Sequence, residues 1–323
     1  MKREFLGSSN PRVLIAYITV CIVWGSTYLA IRVGVTNLPP ALFAGIRFII
    51  AGLILLAFAR LRGMKMPETW RDVMVSAIVG IFLLFGANGL VVWSEQWVAS
   101  GLAALLVATM PLYMALLDSL IPGGRGIDSL GWIGLLVGFS GVALLMSPDI
   151  KDGGNNLTGL VGILSASFIW ACGSLYSSRR QVTGSIVYNI AIQSMAGGLA
   201  LTLTGLLAGE AARFHLNTAG IGAMFYLIVF GSLAGYSAYI FILKAMPPAK
   251  AATYAYVNPV VAVFLGYIIL GEPVTIRTLV AAVVILGGVV LVQMSRTKKM
   301  VVGDVAENTG PVELTAGPAG RGS

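Results

Sequence analysis

Ten apolar runs, separated by short polar connections, fill the chain almost from end to end. A helix rising about 1.5 Å per residue needs roughly 20 residues to cross the hydrocarbon layer of a bilayer. The pattern therefore predicts spanning helices over 13–33, 41–61, 73–92, 101–121, 130–146, 157–177, 186–207, 218–243, 251–270 and 278–295. The second five runs echo the first. Gly25-Ser26-Thr27-Tyr28-Leu29-Ala30-Ile31-Arg32 returns as Gly173-Ser174-Leu175-Tyr176-Ser177-Ser178-Arg179-Arg180, and Ala103-Ala104 with Pro111 returns as Ala251-Ala252 with Pro259. Both echoes are displaced by 148 positions. A duplicated half with an odd number of crossings must enter the membrane from the opposite face. The expected fold is thus an all-α integral membrane protein of ten transmembrane helices, built as two inverted-topology five-helix repeats over residues 1–148 and 149–297. A binding site is expected between the repeats near the midplane. The Gly, Pro, Thr and Glu rich end, 298–323, has little to bury and is expected to be a disordered cytoplasmic tail.

Composition agrees with the pattern: 57% of the 323 residues are hydrophobic and only 11% charged. The first run is full length and lacks a small-residue cleavage site, so it reads as a retained helix and not as a signal peptide. A net charge of +8 would suggest nucleic acid in a soluble protein, but here the cations sit at the membrane borders. With the amino terminus inside, 16 of the 21 Lys and Arg fall on the cytoplasmic side, among them Arg60, Arg62, Lys65 and Lys250. Four, Arg32, Lys151, Arg213 and Arg277, fall outside, and Arg47 lies within a span. This bias predicts both termini in the cytoplasm. No connection is long enough for a catalytic or nucleotide-binding domain, and no G-x-x-x-x-G-K-[ST] loop occurs. Cys21 and Cys172 lack metal-ligand spacing, and His215 has no second histidine, so neither a metal nor a cofactor is expected. The spans also lack paired carboxylates or a Ser-His pairing, which argues against an intramembrane enzyme.

Polar side chains inside spans should face other helices or a water-filled cavity. Trp24, Tyr28 and Arg32 share one face of the first helix at i, i+4 and i+8, accompanied by Ser26. Trp170 and Ser174 form an i, i+4 pair in its repeat partner. Pro111 and Pro259 occupy repeat-related places in the fourth and ninth helices, where each removes a backbone hydrogen bond and predicts a kink. Their neighbours Thr109, Tyr254, Tyr256 and Asn258 offer hydroxyl, amide and ring edges to a substrate. Asn88 in the third helix and Tyr236 in the eighth complete the candidate substrate-binding set, with Ser232, Ser237 and Tyr239 as further neutral polar groups. Arg47 has two readings: an anchor for a carboxylate or part of a gate, or a structural role in which its long stem snorkels to the interface or bonds carbonyl oxygens of neighbouring helices. The second is favoured because Arg47 lies only a turn or two inside its helix. Its counterpart in the second half, at an offset of 146, is Gln193.

Acids are absent from the middle of the spans. Glu95 and Glu272 are expected at the outer rim, where water keeps them ionised, and Asp118 near the inner end of the fourth helix. A proton-coupled pump for lipophilic cations needs a carboxylate within the membrane. Neutral, zwitterionic or anionic solutes are favoured instead, with no ion coupling or with a proton as coupling ion through a peripheral acid.

Val23-Trp24-Gly25-Ser26-Thr27-Tyr28, Ala44-Gly45-Ile46-Arg47-Phe48, the Ala-rich start and mid-helix Pro111 of the fourth run, and Tyr256-Val257-Asn258-Pro259 followed by Leu270-Gly271-Glu272 resemble the EamA-type drug/metabolite transporter superfamily. The resemblance spans roughly residues 13–295. It implies a ten-helix inverted-repeat bundle in the bacterial inner membrane that exports amino acids or other small metabolites by alternating access; a proton-coupled drug or lipid efflux carrier is the alternative. The family pattern places Gly-Glu after the ninth helix and, by symmetry, after the fourth. Here Gly271-Glu272 fits, whereas Gly123-Gly124 stands in the first half.

Overall fold

The computed structural model describes residues 11–122, 126–146, 157–245 and 253–308. Among them there is no strand, and the membrane helices come in the expected order. They are α1 (Pro11–Asn37), α2 (Pro40–Leu61), α3 (Trp70–Ser94), α4 (Ser100–Leu120), α5 (Ser129–Met146), α6 (Leu157–Ser178) and α7 (Ile186–Leu207). After a short 3-10 turn, Glu210–Arg213, follow α8 (three consecutive segments, Thr218–Tyr226, Leu227–Ala234 and Gly235–Ala245), α9 (Tyr254–Leu270) and α10 (Ile276–Asn308). Nine of these described helices are long and apolar enough to cross a membrane, and α9 is a shorter apolar helix. The expected start of the ninth helix, 251–252, lies outside the described residues. At the other end α10 does not stop near Ser295 but continues through Asn308, into the stretch expected to be disordered. No proline interrupts it there, and the Arg, Lys and Met residues that follow Ser295 are good helix formers. Residues 309–323 lie outside the described part.

The helix starts are set by side chains that accept otherwise orphaned backbone N–H groups. Thr69 Oγ1 accepts from Asp72 N at 3.2 Å before α3, Ser185 Oγ from Tyr188 N at 3.3 Å before α7, and Asn217 Oδ1 from Gly220 N at 2.7 Å before α8. The caps of α3 and α8 stand 148 positions apart, as the sequence echoes do. A second correspondence is not visible in the sequence: α3 and α8 each widen into π-helix for one stretch, Ile81–Asn88 and Leu227–Ala234. These segments lie 146 positions apart and leave carbonyls displaced from the ordinary i−4 ladder.

The most extensive pairings are α2 with α7 and α5 with α10. Both seams are made of glycine, because helices in lipid associate through close packing where small residues allow it. A Cβ at Gly45 would lie 2.7 Å from Thr202 N and 3.0 Å from Gly198 O. The Gly134–Gly138 spacing in α5 meets Gly288 of α10 in the same way. Gly271 ends α9 in the left-handed region, φ 65°, so that Glu272 N reaches Gly266 O at 3.1 Å and the chain turns toward the start of α4.

Candidate functional site

A cavity of about 390 Å³ lies within the bundle, lined from α1, α2, α3, α4, α6, α7, α8 and α9. Trp24 stands at its centre of aromatic packing: its ring centroid is 5.1 Å from that of Tyr239 and 5.0 Å from that of Tyr254. Trp24 Nε1 donates to Gly231 O at 3.1 Å, a carbonyl within the π segment of α8. That irregular segment thus supplies an acceptor that a regular helix would keep for itself. Ser232, in the same segment, donates to Leu227 O at 3.1 Å, and both residues line the cavity.

Both prolines line the cavity. Pro111 begins the second half of α4 after a break at Ala108 and Thr109, and Pro259 lies inside α9. Each lacks an N–H to give to the carbonyl four residues earlier, Val107 and Ala255, and all four residues line the cavity. Asn258, beside Pro259, ties α9 to α1: with its amide nitrogen turned toward them, it donates to Cys21 O and Tyr254 O at 3.1 Å each.

Arg47 does not snorkel. It is only 3% exposed, its Nη2 donates to Asn88 Oδ1 at 2.8 Å, and its guanidinium carbon lies 4.3 Å from the centroid of the Phe48 ring. Its Nε is buried without a hydrogen-bond partner. α2 packs this face against α3 and α7, not against lipid, so no route to the interface is open to the stem. Arg47 is the one permanently charged side chain among the lining residues, and no carboxylate joins it there.

Of the candidate substrate-binding residues, Trp24, Tyr28, Arg47, Asn88, Trp170, Tyr254 and Asn258 are brought together on the cavity wall. Four described candidates are not. The Ser26 hydroxyl is engaged with Val23 O at 2.8 Å and Tyr226 OH at 2.6 Å. Thr109, fully buried, turns its hydroxyl back to Leu106 O at 2.6 Å. Ser174 is off the wall, and Tyr256 packs instead beside the cluster of Leu112, Ala115 and Val289. The Tyr236 side chain lies outside the described part of the structure. Thr27, Ser167, Gln193 and Ser194 line the cavity as well. Gln193 is legible in the sequence as the repeat partner of Arg47; the other three carry no signal there beyond being polar residues in apolar runs.

The acids at the helix ends depart from expectation. Glu272 is not simply bathed by water: its Oε1 accepts from Ser100 N at 2.8 Å, and its Oε2 from Ser100 Oγ at 2.9 Å and Gly101 N at 3.2 Å, so that it caps α4. Glu210, in the turn after α7, caps α2 through Ala41 N at 3.3 Å and Leu42 N at 2.8 Å. Asp118 pairs with Arg179 of α6 at 3.2 Å. Glu95, expected at the wet rim, has no solvent exposure at all. The chain leaving α3 tucks Ser94 and Glu95 beneath Arg32 and against α6, where Gly162 is so close that a Cβ there would strike Ser94 Oγ.

The profile of the EamA-like transporter family matches this chain twice, over residues 11–147 and 157–294. The chain belongs to the EamA-like transporter family. It is a membrane transporter of small solutes. This EamA-like transporter is 40% identical to the uncharacterized inner membrane transporter YedA of Escherichia coli (strain K12), over 87% of this chain and 90% of the relative. It is 26% identical to the uncharacterized transporter YvbV of Bacillus subtilis (strain 168), over 89% and 92%. One crystal structure, at 20% identity, covers 90% of this EamA-like chain and 100% of its own with a TM-score of 0.60, which shows a common fold.

Proposed function

We propose that this chain is a secondary carrier of the bacterial inner membrane that exports a small metabolite such as an amino acid, neutral, zwitterionic or anionic, by alternating access between two inverted five-helix halves. The observation that carries this reading is the chemistry of the cavity wall. One guanidinium stands among indole, phenol and amide groups, with no carboxylate facing it, in a space of the size that small ligands fill. An anionic or zwitterionic solute would meet the charge through its carboxylate and the rings through its apolar part. A second cavity of about 850 Å³, walled mainly by Ile54, Leu55, Phe58, the 63–65 connection and residues 184–187 at the start of α7, abuts the first at Leu55 and offers a route toward one end of the bundle. The paired π segments and the twofold family match support the duplicated architecture.

The test is counterflow in liposomes, with a panel of labelled amino acids, anionic metabolites and lipophilic cationic dyes, with and without a pH gradient. Exchange of one of the first two classes is expected. Transport confined to the dyes would overturn the reading and make the chain a drug efflux carrier. Trp24→Ala removes both ring contacts and the Gly231 hydrogen bond at once, so counterflow should fall at least about tenfold, equivalent to about 1.4 kcal/mol, while the amount of folded protein is unchanged. Parallel loss of protein and activity would make Trp24 a packing residue.

Orientation has its own test. With both termini cytoplasmic, a cysteine replacing Arg213 should react with an impermeant reagent added to intact cells, and one replacing Lys65 should not. Labelling at Lys65→Cys with protection at Arg213→Cys would reverse the assignment.

A further inference from the structure

We propose that Glu95 is a proton-binding site that couples this carrier to a proton gradient, and that the end of the bundle holding Glu95 closes only over its protonated carboxyl. The inference rests on the carrier reading above. Glu95, Glu210 and Glu272 each sit at a helix end, and the structure treats them differently. Glu210 and Glu272 each accept two or more hydrogen bonds at the first turn of a neighbouring helix, so both carboxylates are supplied with donors. Glu95 is fully buried, and neither of its carboxylate oxygens has a hydrogen-bond partner. A carboxylate in that position lacks both hydration and a compensating donor, the arrangement least tolerated in a protein interior.

The groups around it do not remove this cost. From α1, the Arg32 guanidinium bonds to the backbone carbonyl of Glu95 and not to its carboxylate. Tyr28 of α1 and Arg47 of α2 lie within electrostatic reach, as does Glu272 from the turn after α9. α6 meets the flanking Ser94 and Val98 through Gly162 and Gly159, with no ionisable side chain on that stretch. Neither Arg32 nor Arg47 forms an ion pair with Glu95. Burial, and next the charge of Glu272, hold the Glu95 carboxyl well above the ordinary carboxylate range, against the weaker pull of Arg32 and Arg47.

A carboxyl whose affinity for protons is raised in the closed state and ordinary when hydrated makes closure more favourable as pH falls, and less favourable as pH rises through the raised value. Opening of this end lets Glu95 exchange a proton with the water there. Closure then carries the proton inward as the neutral acid, and its release to water on the other side restores the carboxylate. Tyr28 and Arg47, within electrostatic reach of Glu95, also line the cavity, which links the site to the space for the solute. The empty carrier can close only with its proton, which is the requirement for exchanging protons against exported solute.

The experiment is an infrared titration of the full chain in lipid nanodiscs, which needs no solute. The wild type should show a protonated-carboxyl stretching band that is lost as pH rises, with a midpoint well above the ordinary carboxylate range. The band should be absent in Glu95→Gln and retained in Glu272→Gln. Glu95→Asp should keep a titrating band, which preserves the test where the Gln variant is misassembled. Absence of a carboxyl titrating in this range, or its persistence in a monodisperse Glu95→Gln protein, overturns the proposal. Because no transport is measured, failure here leaves the carrier reading standing. A silent solute panel alongside a normal band would sink the carrier reading and not the proton site. In liposomes that exchange a solute, an imposed pH gradient should drive net flux in the wild type and lose its effect in Glu95→Gln; gradient-driven flux that survives the substitution overturns the coupling.

Discussion

Gly288→Leu is expected to remove most of the folded protein from the membrane, whereas Gly287→Leu, one residue away, should be close to neutral. A Cβ at Gly288 would press on the backbone N and Cα of Gly138 and lie 2.6 Å from Gly134 O. Those are backbone atoms of a facing helix and cannot step aside as a flexible side chain would, so α5 and α10 must separate along one of the two most extensive seams in the bundle. Overpacking of this kind costs about 3 kcal/mol when the neighbours cannot relax, and helix separation also loses dispersion contacts that no hydrophobic force replaces in lipid. A Cβ at Gly287 would meet no atom within 4 Å, so a leucine there points only into lipid. Thermal melts of the two variants in detergent, with expression level as a second readout, check the contrast. Equal behaviour of the two would mean that the α5–α10 seam is not close-packed in the membrane.

The same seam shows what the sequence can and cannot convey. Helix number, order and span ends are legible because burial in lipid forces long apolar runs, and the GxxxG of α5 announces a close approach without naming its partner. The break at Pro111 and the embedded Pro259 are legible because proline's missing N–H acts locally. The π segments of α3 and α8 are not, since Ile81–Asn88 and Leu227–Ala234 contain no residue that demands them; they arise from how the helices pack and carry carbonyls such as that of Gly231 to the cavity. Ser26 and Thr109 depart from expectation for a related reason. A hydroxyl in an apolar helix can turn to a carbonyl three residues back, and nothing in a linear sequence distinguishes that outcome from a cavity-facing one. For Glu95 and Arg47 the cause is different: closeness to a helix end is not closeness to water, because both ends concerned are covered by neighbouring helices.

Arg47→Ala should weaken exchange of an anionic or zwitterionic solute by about tenfold to a hundredfold while sparing neutral analogues. The guanidinium is bound to Asn88 by Nη2, lies over Phe48, and keeps a buried Nε that no protein group satisfies. A charge-assisted hydrogen bond to a carboxylate contributes about 1.5–3 kcal/mol net, which is about one to two decades in affinity. Arg47→Lys should recover only part of the loss, because an ammonium cannot both hold Asn88 and lie flat on the ring. The measurement is the concentration dependence of counterflow for a matched pair of solutes, one with a free carboxylate and one with the carboxylate amidated. Equal losses for both members would mean that Arg47 supports the fold of the α2–α3 contact and leaves the solute to the aromatic groups. A selective loss for the carboxylate would assign the anion to Arg47, and so explain why one unpaired cation is kept inside a membrane bundle where each such charge is costly.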